Sequence, residues 1–134
     1  MSIEVIEDFW ALDSILIHDY IIASDLNASR TPEGVYYIIY EPGSNEHPVL
    51  TSLLKVHYKG YLLNGTVFDK TTGTPAQFYL SQLIPGWRIG IPLFGKGGKG
   101  TLIIPSNLGY GSSSVSTIPP HSVLIFDIFL EDFQ

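Results

Sequence analysis

The stretch Val56–Asp69 reads VHYKGYLLNGTVFD, and its pattern sets the reading of the whole chain. Just upstream and into it, Leu54, Val56 and Tyr58 alternate with Lys55, His57 and Lys59. That two-residue period belongs to a strand with one apolar and one polar face. Asn64-Gly65 then predicts a tight hairpin, because both central positions of such a turn favour residues that tolerate positive φ. Thr66-Val67-Phe68 starts the return strand.

Outward from this hairpin the same grammar recurs. VYYIIY (35–40) is β-branched and aromatic and is followed by the turn residues EPGSN. Ala76–Leu80 and Thr101–Ile104 read as further strands. A Ser/Gly loop over Ser106–Pro120 precedes a last strand over His121–Leu130, in which Leu124, Phe126, Ile128 and Leu130 share a face. Between them, IPGW (84–87) predicts a short helical turn with Ile84 and Trp87 on one side. Ser81 is placed to cap it, and Pro85 suits its first positions. Five or six strands in hairpin-like succession with one short helix make an α+β domain with a mostly antiparallel sheet.

The front of the chain differs. Ile3–Ser24 contains neither Gly nor Pro. Val5, Phe9, Leu12, Leu16 and Tyr20 recur at helical spacing, with Ile6, Trp10, Ile17 and Ile21 as a second apolar row. So wide a stripe requires a covering surface, either the chain's own domain or a second subunit. The helix is expected to stop in DLNASRTP, capped by Asn27 ahead of Pro32. Residues 1–46 hold nine acids against the single base Arg30, whereas residues 47–134 hold four acids and six bases. The plain reading of this asymmetry is a solvated acidic face on the front of the chain; the alternative is a front segment, 1–46, with the leading helix and strand, set apart from a domain over 47–134.

Composition removes several function classes. The formal net charge of −6 argues against nucleic acid as a partner, since neutralising phosphates needs clustered Lys and Arg. No cysteine is present, so neither disulfides nor thiol chemistry enter. Met1–Trp10 carries acids where a signal peptide carries bases, and SILIHDYIIAS is too short and too polar to span a bilayer. The chain reads as soluble. A chain whose export signal had been trimmed would read the same way, so a periplasmic, membrane-anchored or cytoplasmic origin stays open.

Chemical motifs narrow the field further. Gly90–Lys96 spells G-x-x-x-x-G-K, the start of a phosphate-binding loop, but Gly97 stands where Ser or Thr would hold magnesium. Pro92 also removes one N–H from the cradle, and Ile91, Leu93 and Phe94 would fill it with apolar bulk. His18, His47, His57 and His121 show no metal-ligand spacing, and no G-x-S-x-G elbow occurs. A metal-free and cofactor-free protein is expected. What remains is an aromatic set with one acid among it: Phe68 and Asp69 in VFDK, Trp87 in IPGW, and Tyr110 between glycines in LGYG (108–111). IPP (118–120) stiffens the far end of the last loop.

Taken together, VHYKGYLLNGTVFD, IPGW, LGYG followed by IPP, and LIFDIFL resemble the FKBP-type peptidyl-prolyl cis-trans isomerases, over roughly Ser52–Leu130. The resemblance implies a strongly twisted antiparallel half-barrel wrapped around one short helix, here preceded by an N-terminal helix as in several bacterial members. It implies a ring-lined pocket with Trp87 as floor, Tyr58, Phe68 and Phe126 as walls, Asp69 as the acid, Tyr110 as a hydroxyl and Ile84 as a backbone N–H. Leu83, Ile118, Ala76 and Phe78 are assigned to substrate binding. Ala76 stands where the family often carries an aromatic, and the segments Asp69–Pro75 and Leu80–Ile84 are short beside well-known members, which implies a shallower, wider pocket.

The resemblance further implies isomerisation of X–Pro bonds, without nucleophile or metal, on proline-containing peptides and unfolded client proteins. It also implies a binding place for a macrolide inhibitor of the tacrolimus type and, through the N-terminal helix, a homodimer. A proline-binding or chaperone module that keeps the pocket but turns over slowly is the competing reading.

Overall fold

In the computed structural model, residues 9–134 are described. Helix α1 (Phe9–Ala23) leads into strands β1 (Ser29–Arg30), β2 (Tyr36–Glu41), β3 (Leu53–Leu62), β4 (Val67–Lys70) and β5 (Ala76–Tyr79). Helix α2 (Pro85–Gly90) follows, then β6 (Gly98–Ile104) and β7 (Leu124–Phe133). The seven strands form one antiparallel sheet in the order β1-β2-β6-β7-β3-β4, with β5 also pairing β3. β1 and β2, both ahead of residue 47, are strands of this same sheet. Register shifts at Lys55/Val56, Gly60/Tyr61 and Ile39/Glu41 bend it, as bulges do.

Strand alternation divides the interior into two cores. Leu54, Val56, Leu102, Ile104, Leu124, Phe126, Ile128 and Leu130 line the inner face, which holds Trp87, Ile91 and Phe94. Ile103, Val123 and Ile125 point outward, where Ile17 of α1 covers them together with Tyr20, Ile21 and Leu26. On the polar part of the outer face, Asp127 Oδ1 accepts hydrogen bonds from Tyr61 Oη at 3.1 Å and Thr101 Oγ1 at 3.0 Å. His57 stacks on Phe129 at 5.3 Å and meets Glu131 at 3.0 Å.

The leading helix therefore finds its covering surface on its own domain. It is turned so that Asp13, Ile17, Tyr20 and Ile21 face the sheet, while Leu12, Ile15, Leu16 and Ile22 stay exposed. Of the two expected apolar rows the second packs through Ile17 and Ile21, joined by Tyr20 from the first. Ile3–Asp8, which the periodicity also assigned to the helix, lie outside the described residues, and the side chains of Phe9 and Trp10 are not described. No helix among the described residues is long and apolar enough to cross a membrane.

Several local expectations change. Asp25, not Asn27, ends α1: it takes φ 54. Its N–H reaches Ile22 O at 3.1 Å and the Leu26 N–H reaches Ile21 O at 3.0 Å, the paired bonds of a Schellman end. Asp can adopt this conformation because its short polar side chain tolerates the left-handed region. In the β3–β4 hairpin only Gly65 has positive φ, at 87. Gly65 N–H bonds Leu62 O at 2.8 Å and Leu62 N–H bonds Thr66 O at 2.9 Å, so the turn is Leu63-Asn64 followed by a glycine bulge. Ser81 does not cap α2. It sits in the 3-10 turn Leu80–Gln82, and Ile84 is the N-cap without a side-chain bond. β7 begins at Leu124 rather than His121, because His121 itself has φ 58, outside strand geometry.

α2 lies on the inner face at glycine distance. A Cβ on Gly86 would stand 2.5 Å from Ile104 Cγ2, and one on Gly90 would stand 2.7 Å from Leu102 Cδ1. Ile104 is fully buried and β-branched, so it has no room to yield. Gly86→Ala is expected to lower stability by about 1–3 kcal/mol despite alanine's better helix propensity, and Ile104→Val in the same chain to recover part of it. Urea denaturation of the single and double variants checks this, and a Gly86→Ala midpoint at or above wild type would contradict the packing.

Candidate functional site

The space between α2 and the curved sheet is a cavity of about 540 Å³, lined by Tyr58, Phe68, Asp69, Phe78, Gln82, Leu83, Ile84, Trp87, Tyr110, Val115, Ser116, Ile118 and Phe126. Each wall comes from a different element. Tyr58 projects from β3, Phe68 and Asp69 from β4, Phe78 from β5 and Phe126 from β7. Pro85 starts α2 with a φ already helical and no N–H to satisfy, which places Trp87 in its first turn. Ile84, the N-cap of α2, lines the cavity wall.

Trp87 is only 4% exposed and forms the bottom. Tyr58, Phe126 and Phe78 all meet it edge-on, with ring centroids at 5.3, 5.2 and 6.3 Å and interplanar angles of 89°, 89° and 86°. Phe68 meets Phe126 edge-on in turn, at 5.5 Å. Such edge-to-face contacts satisfy the ring quadrupoles and hold each ring in one orientation. The result is a rigid cage whose bottom offers a flat apolar surface.

Its rim is polar. Tyr58 Oη donates to Asp69 Oδ2 at 2.5 Å. Burial pushes the Tyr58 hydroxyl well above its ordinary value, and the bond to Asp69 and that carboxyl's charge push the same way. Burial also raises the Tyr110 hydroxyl, with the Asp69 charge adding to it. Two phenols therefore keep their protons beside one carboxyl throughout the neutral range. Among the described residues no three His, Asp or Glu side chains converge as metal ligands.

Of the residues that the sequence singled out, Tyr58, Phe68, Asp69, Ile84, Trp87, Tyr110, Phe126, Leu83, Ile118 and Phe78 all meet at this cavity. Ala76 does not. It pairs with Val56 in β5 and shares the face of Phe78 two residues on, but its single methyl stops short of the lining. Gln82, Val115 and Ser116 line the cavity without having been singled out. Val115 and Ser116 lie in a serine-rich run without periodicity, where a bridge between Val115 and Ile118 forms a small hairpin. Gly60 was missed too, although a glycine inside an alternating strand signals close approach. A Cβ there would stand 2.6 Å from the Phe68 ring and 2.8 Å from that of Phe126.

A second hollow of about 550 Å³ lies on the outer face against His57, Lys59, Lys99 and Phe129. It is more open to solvent than the first, and Trp87 is not part of it.

Comparison with known proteins follows the same lines. Residues 44–131 match the family of FKBP-type peptidyl-prolyl cis-trans isomerases. The FKBP-type peptidyl-prolyl cis-trans isomerase FkpA of Buchnera aphidicola subsp. Schizaphis graminum is 46% identical over 109 residues, which cover 79% of this chain and 43% of that protein. The crystal structure of FkpA from Escherichia coli is similar with a TM-score of 0.83 at 34% identity, over 96% of this chain and 62% of that one. A peptidyl-prolyl cis-trans isomerase structure from Pseudomonas syringae pv. tomato shares the fold, with a TM-score of 0.84 over 100% of this chain and 99% of that one, at 24% identity. The chain spans less than half the length of the curated relatives it matches.

The two phenols give a pH dependence with a definite sign. Folding raises their pKa, so above about pH 10 the unfolded chain releases protons that the folded one retains, and stability falls as pH climbs. The urea midpoint is expected to drop between about pH 8 and about pH 10.5, and to drop less in Tyr58→Phe. An equal drop in both proteins would show that the Tyr58 hydroxyl is not held as described.

Proposed function

The chain belongs to the FKBP-type peptidyl-prolyl cis-trans isomerase family, and we propose that it accelerates cis-trans isomerisation of X–Pro bonds in peptides and folding proteins. The single observation that carries this reading is the ring cage, with Trp87 edge-on to Tyr58 and Phe126 at its bottom. Rotation about an X–Pro bond is opposed by about 18–20 kcal/mol of amide resonance. No bond needs to be made or broken to lower that barrier. It is enough to favour the twisted amide, which has lost its charge separation, over the planar one.

The cage does so in two ways. The pyrrolidine ring stacks on Trp87 between Tyr58, Phe68 and Phe126, and its entry displaces the water that stabilises the planar carbonyl. The Ile84 N–H, the Tyr110 hydroxyl and Asp69 hold the flanking peptide, so that binding energy is spent on orientation. Tyr58 and Tyr110 keep their protons, so they act as hydrogen-bond donors and not as bases. Phe78, Leu83 and Ile118 give the residue before proline an apolar rim, to which Gln82 adds an amide. Ala76, set back from the lining, leaves that rim wide.

The family acts on proline-containing substrates; for this chain the occupants are unfolded client segments with an apolar residue before proline. A macrolide of the tacrolimus type would compete for the same cage. Residues 47–134 carry the isomerase and residues 1–46 support it, with Leu12, Ile15, Leu16 and Ile22 of α1 as the face for a second copy.

Exchange NMR on a short Leu-Pro peptide tests the reading. Wild type is expected to accelerate exchange, and Trp87→Leu and Asp69→Ala each to lower kcat/KM about tenfold. Unchanged rates in both variants would remove this cavity from the reaction. No turnover in wild type, with a peptide-induced shift in tryptophan fluorescence, would make the protein a proline-binding module.

A further inference from the structure

We infer that Asp13, on α1, is a positioning residue for Tyr110: acting through Ser106, it sets the loop that brings this ring to the cavity. Asp13 and Ser106 are 1% and 2% exposed. Asp13 Oδ2 accepts the Ser106 backbone N–H at 2.8 Å and the Ser106 hydroxyl at 2.5 Å. Ser106 stands just past the end of β6 and opens the 3-10 turn Ser106–Leu108. Its carbonyl accepts the N–H of Gly109 at 3.0 Å and of Gly111 at 2.8 Å. Those two glycines flank Tyr110. One residue is thus fixed from the helix side by two bonds and fixes, on its other side, both amides next to the tyrosine.

Two further backbone bonds run within the loop, while Leu108, Tyr110 and Ile118 pack on the inner core. Ser113 N–H bonds Tyr110 O at 3.0 Å, and His121 N–H bonds Gly111 O at 2.7 Å. At its root α1 adds a hydrogen-bonded grip through Asp13. The other oxygen of Asp13 shows that this grip has a cost: Oδ1 is buried and has no hydrogen-bond partner among the described residues. An unsatisfied buried oxygen lowers stability, and an alanine or leucine at this position of the Asp13–Ile17–Tyr20 face would cover the outer core without that penalty. What the carboxyl adds is direction. Two donors of one residue converge on a single oxygen, so Ser106 is left no free rotation and its carbonyl points at the glycines.

The consequence for the reaction rests on the isomerase reading of the cavity. Displacement of an orienting group by about 1 Å is enough to lose a large part of the rate. The segment ahead of the family match is thereby tied to the chemistry without touching the substrate.

The test uses the whole chain in four forms: wild type, Asp13→Ala, Asp13→Asn and Ser106→Ala. Without substrate, hydrogen exchange at the Gly109 and Gly111 amides is expected to speed up about tenfold or more in Asp13→Ala, while amides of β3 and β7 keep their rates. Asp13→Asn retains an acceptor oxygen and is expected to restore protection. With the Leu-Pro peptide, Asp13→Ala is expected to lower kcat/KM about five- to tenfold, but by less than about twofold when Tyr110→Ala is already present. A helix that acted only through overall stability would lower both backgrounds alike. Should Asp13→Ala fail to fold, Ser106→Ala, which removes only the hydroxyl bond, carries the same comparisons at smaller size. Unchanged exchange at the two glycines, or equal losses in both backgrounds, would overturn the inference. A wild type without turnover sinks the isomerase reading instead, and the exchange rates then decide the anchor alone.

Discussion

The contact on which the rest of the structure depends is the one between α2 and β6. Gly86 and Gly90 lie one helical turn apart and place bare backbone against Ile104 and Leu102. Close-packed interiors leave no slack at such a contact. Any side chain there would lift the helix off the sheet, and Trp87 would rise with it. At the observed distance the indole sinks to where three rings meet it at nearly right angles. The cavity is the space left above a helix that cannot stand higher. Gly60 does the corresponding work on the opposite wall, where its missing side chain admits the rings of Phe68 and Phe126.

The sheet curves around that helix because neighbouring strands slip register, and it can do so because its outer face is held separately. Ile103, Val123 and Ile125 are buried beneath α1, while Tyr61, Thr101 and Asp127 form a hydrogen-bonded row beside them. A curved sheet with only its inner face covered would expose that apolar row to water. The leading helix thus completes the second core and does more than decorate the first.

Much of this was legible from residue order. The alternation in Leu53–Leu63 gave β3 and its two faces, and the four quoted motifs hold eight of the ten singled-out residues that meet at one cavity, Leu83 and Phe78 lying outside them. What was not legible depended on three-dimensional company. Periodicity found both apolar rows of α1 but could not choose between them, because the row that packs includes Asp13, whose partner lies beyond β6. Asn27 reads as the cap, and composition alone does not show that the last turn breaks two residues earlier, at Asp25. Ala76 shares a face of β5 with Phe78, yet Phe78 lines the cavity and Ala76 does not. Ser116 and Val115 carry no pattern at all. Their place is fixed by a bridge to Ile118 and a left-handed φ of 53 at Ser116.

The position of β7 has a consequence for how the molecule comes into being. It is the final strand in chain order, yet it lies between β6 and β3 and hydrogen-bonds to both along its length. Until it arrives, β3 with its satellites and β2 with β6 are two separate ribbons, each with an open edge. During synthesis from the N-terminus neither core can close, and the floor of the cavity has no opposite wall. A ribosome must therefore deliver nearly the whole of this domain before any of it is stable, and the nascent protein spends that interval with its apolar faces and strand edges open to water.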